Sequence, residues 1–204
     1  MIWNPNNNWF NNEYKDSLKE NQFCRTGRNS PHSDARHFFT KFVNSGDSLL
    51  DIGFGGLADY DILKEEGKQI NYRGLDYAQA MIDNAKDKYP DVNVGLCDLN
   101  DKIEEPDNSW DVVNCRHVID HCEYYEKPMA ELIRVAKKRV IIVLWRGFTK
   151  HDGDNIRLNE PYGWTNDYGR TKFLNFLSLQ PIKFHYFSEG LFTDPDIFMV
   201  LDKV

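Results

Sequence analysis

An α/β architecture, doubly wound, with a mainly parallel sheet and helices on both faces, is expected of this 204-residue chain on two observations. Short β-rich runs alternate with amphipathic helical stretches through its middle, which implies right-handed crossovers between parallel strands. Near the end, two apolar runs are separated by little more than a turn, the pattern of a hairpin closing one edge of the sheet.

The elements follow in order. The opening "WNPNNNWFNNEYKD" and "RTGRNSPHSD" are rich in asparagine, aromatics and turn formers and read as an arm. From Ser33 or Asp34, "DARHFFTKFV" sets Ala35, Phe38, Phe39 and Phe42 at helical spacing. Residues 1–45 are therefore read as an N-terminal arm and capping helix, and 46–204 as one domain. Within it the strands are "SLLDIG", "NYRGLD", "VNVGLC", "WDVVNC" and "RVIIVLW", and the helices "LADYDILKEEG", "AQAMIDNAKDKY" and "KPMAELIRVAKK". Gly67 and Pro90 are stop signals, Pro128 falls in a first turn, and Lys137, Lys138 and Arg139 are read as the solvated end of the last helix. The stretch 146–170, "RGFTKHDGDNIRLNEPYGWTNDYGR", is long for a connection and is read as a substrate-facing insertion or a surface loop. "IKFHYFS" and "DIFMVLDK" form the terminal hairpin.

Composition narrows the function classes. At 41% hydrophobic the chain can fill one sizeable core, and its formal charge of −7 argues against nucleic acid or an anionic membrane as partner. "MIWNPNNN" lacks a signal-peptide pattern and "RVIIVLW" is too short to span a bilayer, so a cytoplasmic protein with a small-molecule partner is expected. Cys24, Cys97, Cys115 and Cys122 have no zinc spacing and are expected to be reduced thiols. Composition leaves the oligomeric state open.

The chemistry centres on "LLDIGFGGLADYDIL", where an apolar run ends in an acid and three glycines. "GFGGLA" satisfies the G-x-G-x-x-A pattern of dinucleotide sites, with Asp76 at a fitting distance beyond. Asp51, two residues before the first glycine, lies on the same strand face. Its carboxylate would repel a pyrophosphate but attract an ammonium and a sulfonium. Taken singly, each feature has a structural alternative: a tight turn for Gly53, Gly55 and Gly56, and a helix cap for Asp51 or Asp76.

From Ser48 to Trp145 the sequence resembles the class I S-adenosylmethionine-dependent methyltransferases of the type 11 kind. The glycine run resembles their first motif, "YRGLDYAQAMIDNAK" their second, "VGLCDLND" their third-strand segment, and "DNSWDVVNCRHVIDHC" their fourth strand and following turn. The resemblance implies a Rossmann-like, seven-stranded sheet in the order 3-2-1-4-5-7-6 with an antiparallel last strand. It implies S-adenosyl-L-methionine as cofactor, held by Asp51, Gly53, Gly55 and Gly56 at the methionyl end and by Asp76 at the ribose. Tyr77 and Met81 belong to the same set, Cys97, Asp98 and Leu99 lie around the adenine, and Arg116 is at the end of strand four. Two departures stand out: Leu57 replaces a third glycine, and "AKKRV" replaces the usual loop before strand five.

The implied activity is methyl transfer to an oxygen or nitrogen of a small-molecule acceptor, a displacement in which alignment and water exclusion do most of the work. Candidates for proton removal are His121, then His117, then Tyr162 or Tyr168. His117 and His121, four residues apart, could share a metal on a helix, yet further ligands at a suitable spacing are missing, and no metal is expected. Trp9, Trp145, Tyr162, Trp164 and Tyr168 could stack on the acceptor, with Trp3 beside them. Arg25 and Arg28 could grip an acid or lie on the surface. The rival classes are a nicotinamide-dependent oxidoreductase on the same fold and a non-catalytic cofactor-binding subunit.

Overall fold

The computed structural model describes residues 31–159, 163–190 and 196–204. The arm with Trp3, Trp9, Arg25 and Arg28, and the loop residue Tyr162, lie outside the described residues.

Alternating side chains explain the two-sided sheet. Leu49, Val112, Ile141 and Val143 point to one face, and Leu50, Val113, Val140 and Ile142 to the other, so each strand is apolar on both sides, as a covered parallel sheet requires. The first face packs under α1 (Pro31–Thr40), α2 (Ala58–Glu65) and α3 (Gln79–Lys88) through Phe39, Leu63, Met81 and Ile82. The second packs under α4 (Glu126–Val135) and α5 (Arg170–Ser178) through Met129, Leu132, Ile133, Phe173 and Leu177. In α4 these apolar residues recur at helical spacing behind Pro128 in the first turn. Gly67 ends α2 in the left-handed conformation, φ 71°, while the amides of Gly67 and Lys68 return to the carbonyls of Lys64 and Leu63.

The sheet contains β1 (Ser48–Ile52), β2 (Asn71–Asp76), β3 (Val94–Leu96), β4 (Trp110–Arg116), β5 (Ala136–Leu144), β8 (Ile182–Glu189) and β9 (Ile197–Lys203), in the order β3-β2-β1-β4-β5-β9-β8. Two short strands within the insertion, β6 (Leu158–Asn159) and β7 (Gly163–Trp164), pair only with each other. The five strands from β3 to β5 are parallel, and β9 runs antiparallel between β5 and β8. This is the expected Rossmann-like order, with the terminal hairpin closing the edge. Its topological switch lies between β1 and β4, where ligands of such sheets bind at the carboxyl ends.

One reading is corrected. Lys137 and Lys138 are not a helix end, because α4 passes directly into β5 at Ala136. Both lysines project from the amino end of that strand, where Lys138 pairs with Asp47 and Asp111. No loop separates helix from strand there, so the missing family loop is replaced by strand.

Candidate active site

At the carboxyl edge, the register aligns Asp51 with Gly74 on one side and Asn114 on the other. Asp51 is 3% exposed; its carboxylate accepts from the Tyr72 hydroxyl at 3.0 Å and from Asn114 Nδ2 at 2.8 Å. Asn114 Nδ2 also donates to Asp59 at 3.0 Å, and Asp59 accepts from Arg116 Nε at 2.9 Å and Arg36 Nη1 at 2.6 Å. Burial and the charge of Asp59 push Asp51 up to about 7. Burial alone would raise Asp59 too, but the two guanidiniums outweigh it and hold that carboxyl well below the ordinary range. Asp59, the second residue of α2, thus joins α1, α2 and β4 around the acid of the glycine loop. Asp51 caps no helix.

The glycine loop closes tightly on the turn after β4. Gly53 has φ 69°, and a Cβ there would sit 2.1 Å from Val118 Cγ2. Leu57, at the third-glycine position, keeps a left-handed φ of 63° despite its side chain and leads into α2. Asp76, at the end of β2, accepts from the amides of Gly55 and Ala78, each at 3.0 Å. Burial lifts it to about 6 against the pull of those amides. It therefore ties the glycine loop to β2, and its bond to the Ala78 amide closes the turn before α3 without capping that helix, whose N-cap is Ala78.

Beyond β3, Tyr77, Leu96, Cys97 and Asp98 line a cleft of about 220 Å³. A cavity of about 490 Å³ continues from Cys97 and Asp98 toward Arg73, Lys102, Glu104 and Lys127. Asp98 accepts from the amide and side chain of Asn100, and burial pushes the Cys97 thiol up to about 11. Two members of the expected cofactor set turn away from the cleft: Met81 packs into the core beneath α3, and Leu99 into the core on the opposite face.

The acceptor-side residues divide. His117 is not helical: it has φ 57°, so it and His121 do not form a helical metal pair. Its Nε2 lies 3.6 Å from Asp196 at the start of β9, and burial lowers its pKa despite that acid. Among the described residues no group of His, Cys, Asp or Glu side chains could hold a metal. His121 closes the turn Ile119–His121; its Nδ1 lies 2.7 Å from the Trp164 carbonyl. A carbonyl only accepts, so Nδ1 carries the proton and neutral Nε2 keeps a lone pair. Burial lowers the His121 pKa. Its ring centroid is 6.5 Å from that of Trp145, which is 46% exposed, and Trp164 is half-buried. Tyr168 is corrected from acceptor contact or base to core: it is 1% exposed, donates to the Ile119 carbonyl at 2.7 Å and stacks with Phe173. The strap formed by 146–159 and 163–169 folds inward at Tyr168 and takes its hydroxyl out of reach, and burial drives its pKa far up.

Sequence reasoning missed Arg36, Asp59 and Asn114. Asn114 alone left a signal, as a polar residue in phase with Arg116 on an otherwise apolar strand. Arg116 Nη2 and Asn114 Oδ1 are buried without a hydrogen-bond partner among the described residues. A free donor and a free acceptor beside Asp51 suit the carboxylate and ammonium of a methionyl group, and the glycine loop leaves backbone where that group would lie.

The comparisons agree with this geometry. Residues 50–144 match the sequence model of the family described as "Methyltransferase domain". A curated relative, ubiquinone biosynthesis O-methyltransferase of Rickettsia bellii, is 32% identical over 98 residues, 47% of this chain and 40% of the relative. The match thus spans well under half of that relative's length. Among solved structures, magnesium protoporphyrin IX methyltransferase from Synechocystis PCC 6803 with bound SAH superposes with a TM-score of 0.70 at 14% identity, covering 96% of this chain and 97% of that one. A Rhodobacter sphaeroides protein titled a putative Zn-dependent alcohol dehydrogenase superposes with a TM-score of 0.73 at 14% identity over 100% of both chains. At such identities the two structures bear on the fold alone. With its motifs in order on this sheet, the stretch 50–144, just under half of the chain, is similar to the methyltransferase domain of that family. Among the described residues no helix is long and apolar enough to cross a membrane.

Proposed function

We propose that this protein transfers a methyl group from S-adenosylmethionine to an oxygen or nitrogen of a small-molecule acceptor. The observation that carries the reading is the buried Asp51, a carboxylate at the end of β1 two residues before the glycine loop, where a pyrophosphate would be repelled and an ammonium attracted. In this reading Asp51 holds the methionyl ammonium, Arg116 Nη2 its carboxylate, Asp76 the ribose hydroxyls, and Tyr77, Cys97 and Asp98 the adenine. The cofactor, when bound, supplies an electrophilic methyl on a sulfonium that leaves as a thioether.

His121, Trp145 and Trp164 form the acceptor side. His121 Nε2 takes the acceptor's proton as its oxygen or nitrogen bonds to the methyl carbon, while the two indoles flank the acceptor and exclude water. The low pKa of His121 keeps the imidazole neutral, and so able to accept, at neutral pH.

Calorimetric titration with S-adenosylhomocysteine and with NAD tests the cofactor. Asp76→Ala removes a charged acceptor, a loss of about 1.5–3 kcal/mol or roughly ten- to hundredfold in affinity. Unchanged affinity refutes the site, and tight NAD binding without S-adenosylhomocysteine binding reverses the choice. On an acceptor found by screening phenols, amines and carboxylates, His121→Gln should slow transfer about 10²- to 10⁴-fold at unchanged cofactor affinity.

A further inference from the structure

We propose that Asn166 is a positioning residue for His121, fixing the ring in the state that leaves Nε2 free to take a proton. The proposal rests on the reading of His121 as the base. Asn166 is fully buried in the insertion, far in sequence from the turn it serves. Its backbone amide donates to the Asp120 carbonyl at 2.8 Å and its Nδ2 to the Cys122 carbonyl at 2.6 Å, so one residue grips the chain on both sides of His121. Two residues earlier on the same strap, the Trp164 carbonyl accepts from His121 Nδ1 at 2.7 Å. Asn166 Oδ1 in turn accepts from the Arg157 amide at 2.8 Å, anchoring the strap's outgoing limb. Both amide hydrogens and the oxygen of this buried side chain are therefore engaged in holding the strap and the turn at one separation.

The consequence is chemical. An imidazole has two neutral tautomers, and the partner of one nitrogen decides which carries the proton. With Trp164's carbonyl held against Nδ1, the proton stays there. If the strap could slide, the carbonyl would leave, both tautomers would populate, and accepting capacity at Nε2 would fall by the share of molecules that carry the proton there. An ordinary packing role would affect stability without touching the tautomer.

Long-range proton–nitrogen spectra of ¹⁵N-histidine-labelled protein read this directly, the His121 signals being assigned by their loss in His121→Gln. Wild-type protein should show a protonated Nδ1, a bare Nε2 and a pKa below the ordinary value. Asn166→Ala should show both tautomers and a pKa moved up, with a cooperative thermal transition retained and S-adenosylhomocysteine affinity within about threefold of wild type. Where Asn166→Ala does not fold, Asn166→Asp serves: it keeps the acceptor for Arg157 but cannot donate to Cys122, and the same change is expected. A folded variant of either kind with wild-type His121 signals overturns the proposal. The readout needs no methyl transfer, so a His121→Gln enzyme with full activity would refute the base reading separately.

Discussion

If Asp51 holds a cationic group, cofactor affinity must depend on pH near neutrality. Asp51 sits among Tyr72, Asn114 and Asp59 with its pKa pushed up to about 7. Only its ionised form attracts an ammonium, so the dissociation constant rises as pH falls through that value. With one such group, about nine-tenths of Asp51 is ionised at pH 8 and about one-tenth at pH 6, a tenfold change or about 1.4 kcal/mol. Asp76, at about 6, steepens the loss further below pH 6. The ligand's own α-ammonium weakens binding on the alkaline side as it loses its proton.

Calorimetry with S-adenosylhomocysteine from pH 5.5 to 8.5, in buffers of different ionisation enthalpy, separates these contributions. Near pH 7, binding should release about half a proton from Asp51. Asp51→Asn should bind more weakly at pH 8, lose the component near 7, and keep the alkaline and the more acidic ones. The same group acts on folding with a definite sign. Its folded pKa lies above its unfolded value, so its favourable contribution is full below about 4 and is lost as pH rises through about 7. Ligand-free Asp51→Asn should therefore gain more thermal stability at pH 8 than at pH 5. Affinity that is flat from pH 6 to 8 in wild type, with no proton released, would refute the assignment of Asp51 to a cation.

Two further outcomes concern the loop itself. Gly53→Ala combines a left-handed φ with a contact at 2.1 Å and should cost about 2–4 kcal/mol in urea unfolding; adding Val118→Ala should recover the steric part and not the backbone part. Leu57→Gly and Leu57→Ala both lose a buried side chain, but glycine should be the more stable of the two by about 1 kcal/mol, because only alanine retains the left-handed strain.

What the sequence made legible was whatever short-range pattern dictates. Alternating apolar runs specified β1 to β5, and the offset from Asp51 through the glycines to Asp76 placed three parts of the site on one sheet edge. Asp59 and Arg36 were illegible, and Asn114 legible only as a polar residue on an apolar strand, because their roles depend on strand register and helix docking, which unite residues as far apart as 36 and 116. Tyr168 failed for a related reason. In a loop rich in Asn, Asp and Gly, an aromatic reads as exposed, and nothing local says that the strap folds back to bury it. Lys137 and Lys138 fit the end of a helix by charge, yet they lie where β5 bulges between the pairs Trp110–Ala136 and Val112–Arg139, and a bulge at a strand's start exposes its residues just as well.

Leu57 shows how the loop's shape is specified. Its backbone keeps the conformation that a glycine would adopt freely, although the left-handed form costs a side-chain-bearing residue about 1–2 kcal/mol. The conformation is therefore imposed by what the loop is tied to. Asp76 receives the Gly55 amide on one side, and Asp59, one helical residue further on, is fixed by Arg36, Asn114 and Arg116 on the other. Leu57 lies between these two anchors, and its buried side chain in the core under α2 offsets the strain. The missing glycine is thus no argument for a dead cofactor site, since Leu57 makes the loop's backbone bonds in the conformation a glycine would adopt, its amide donating to the Phe54 carbonyl at 3.0 Å and its carbonyl accepting from the Asp61 amide at 2.8 Å.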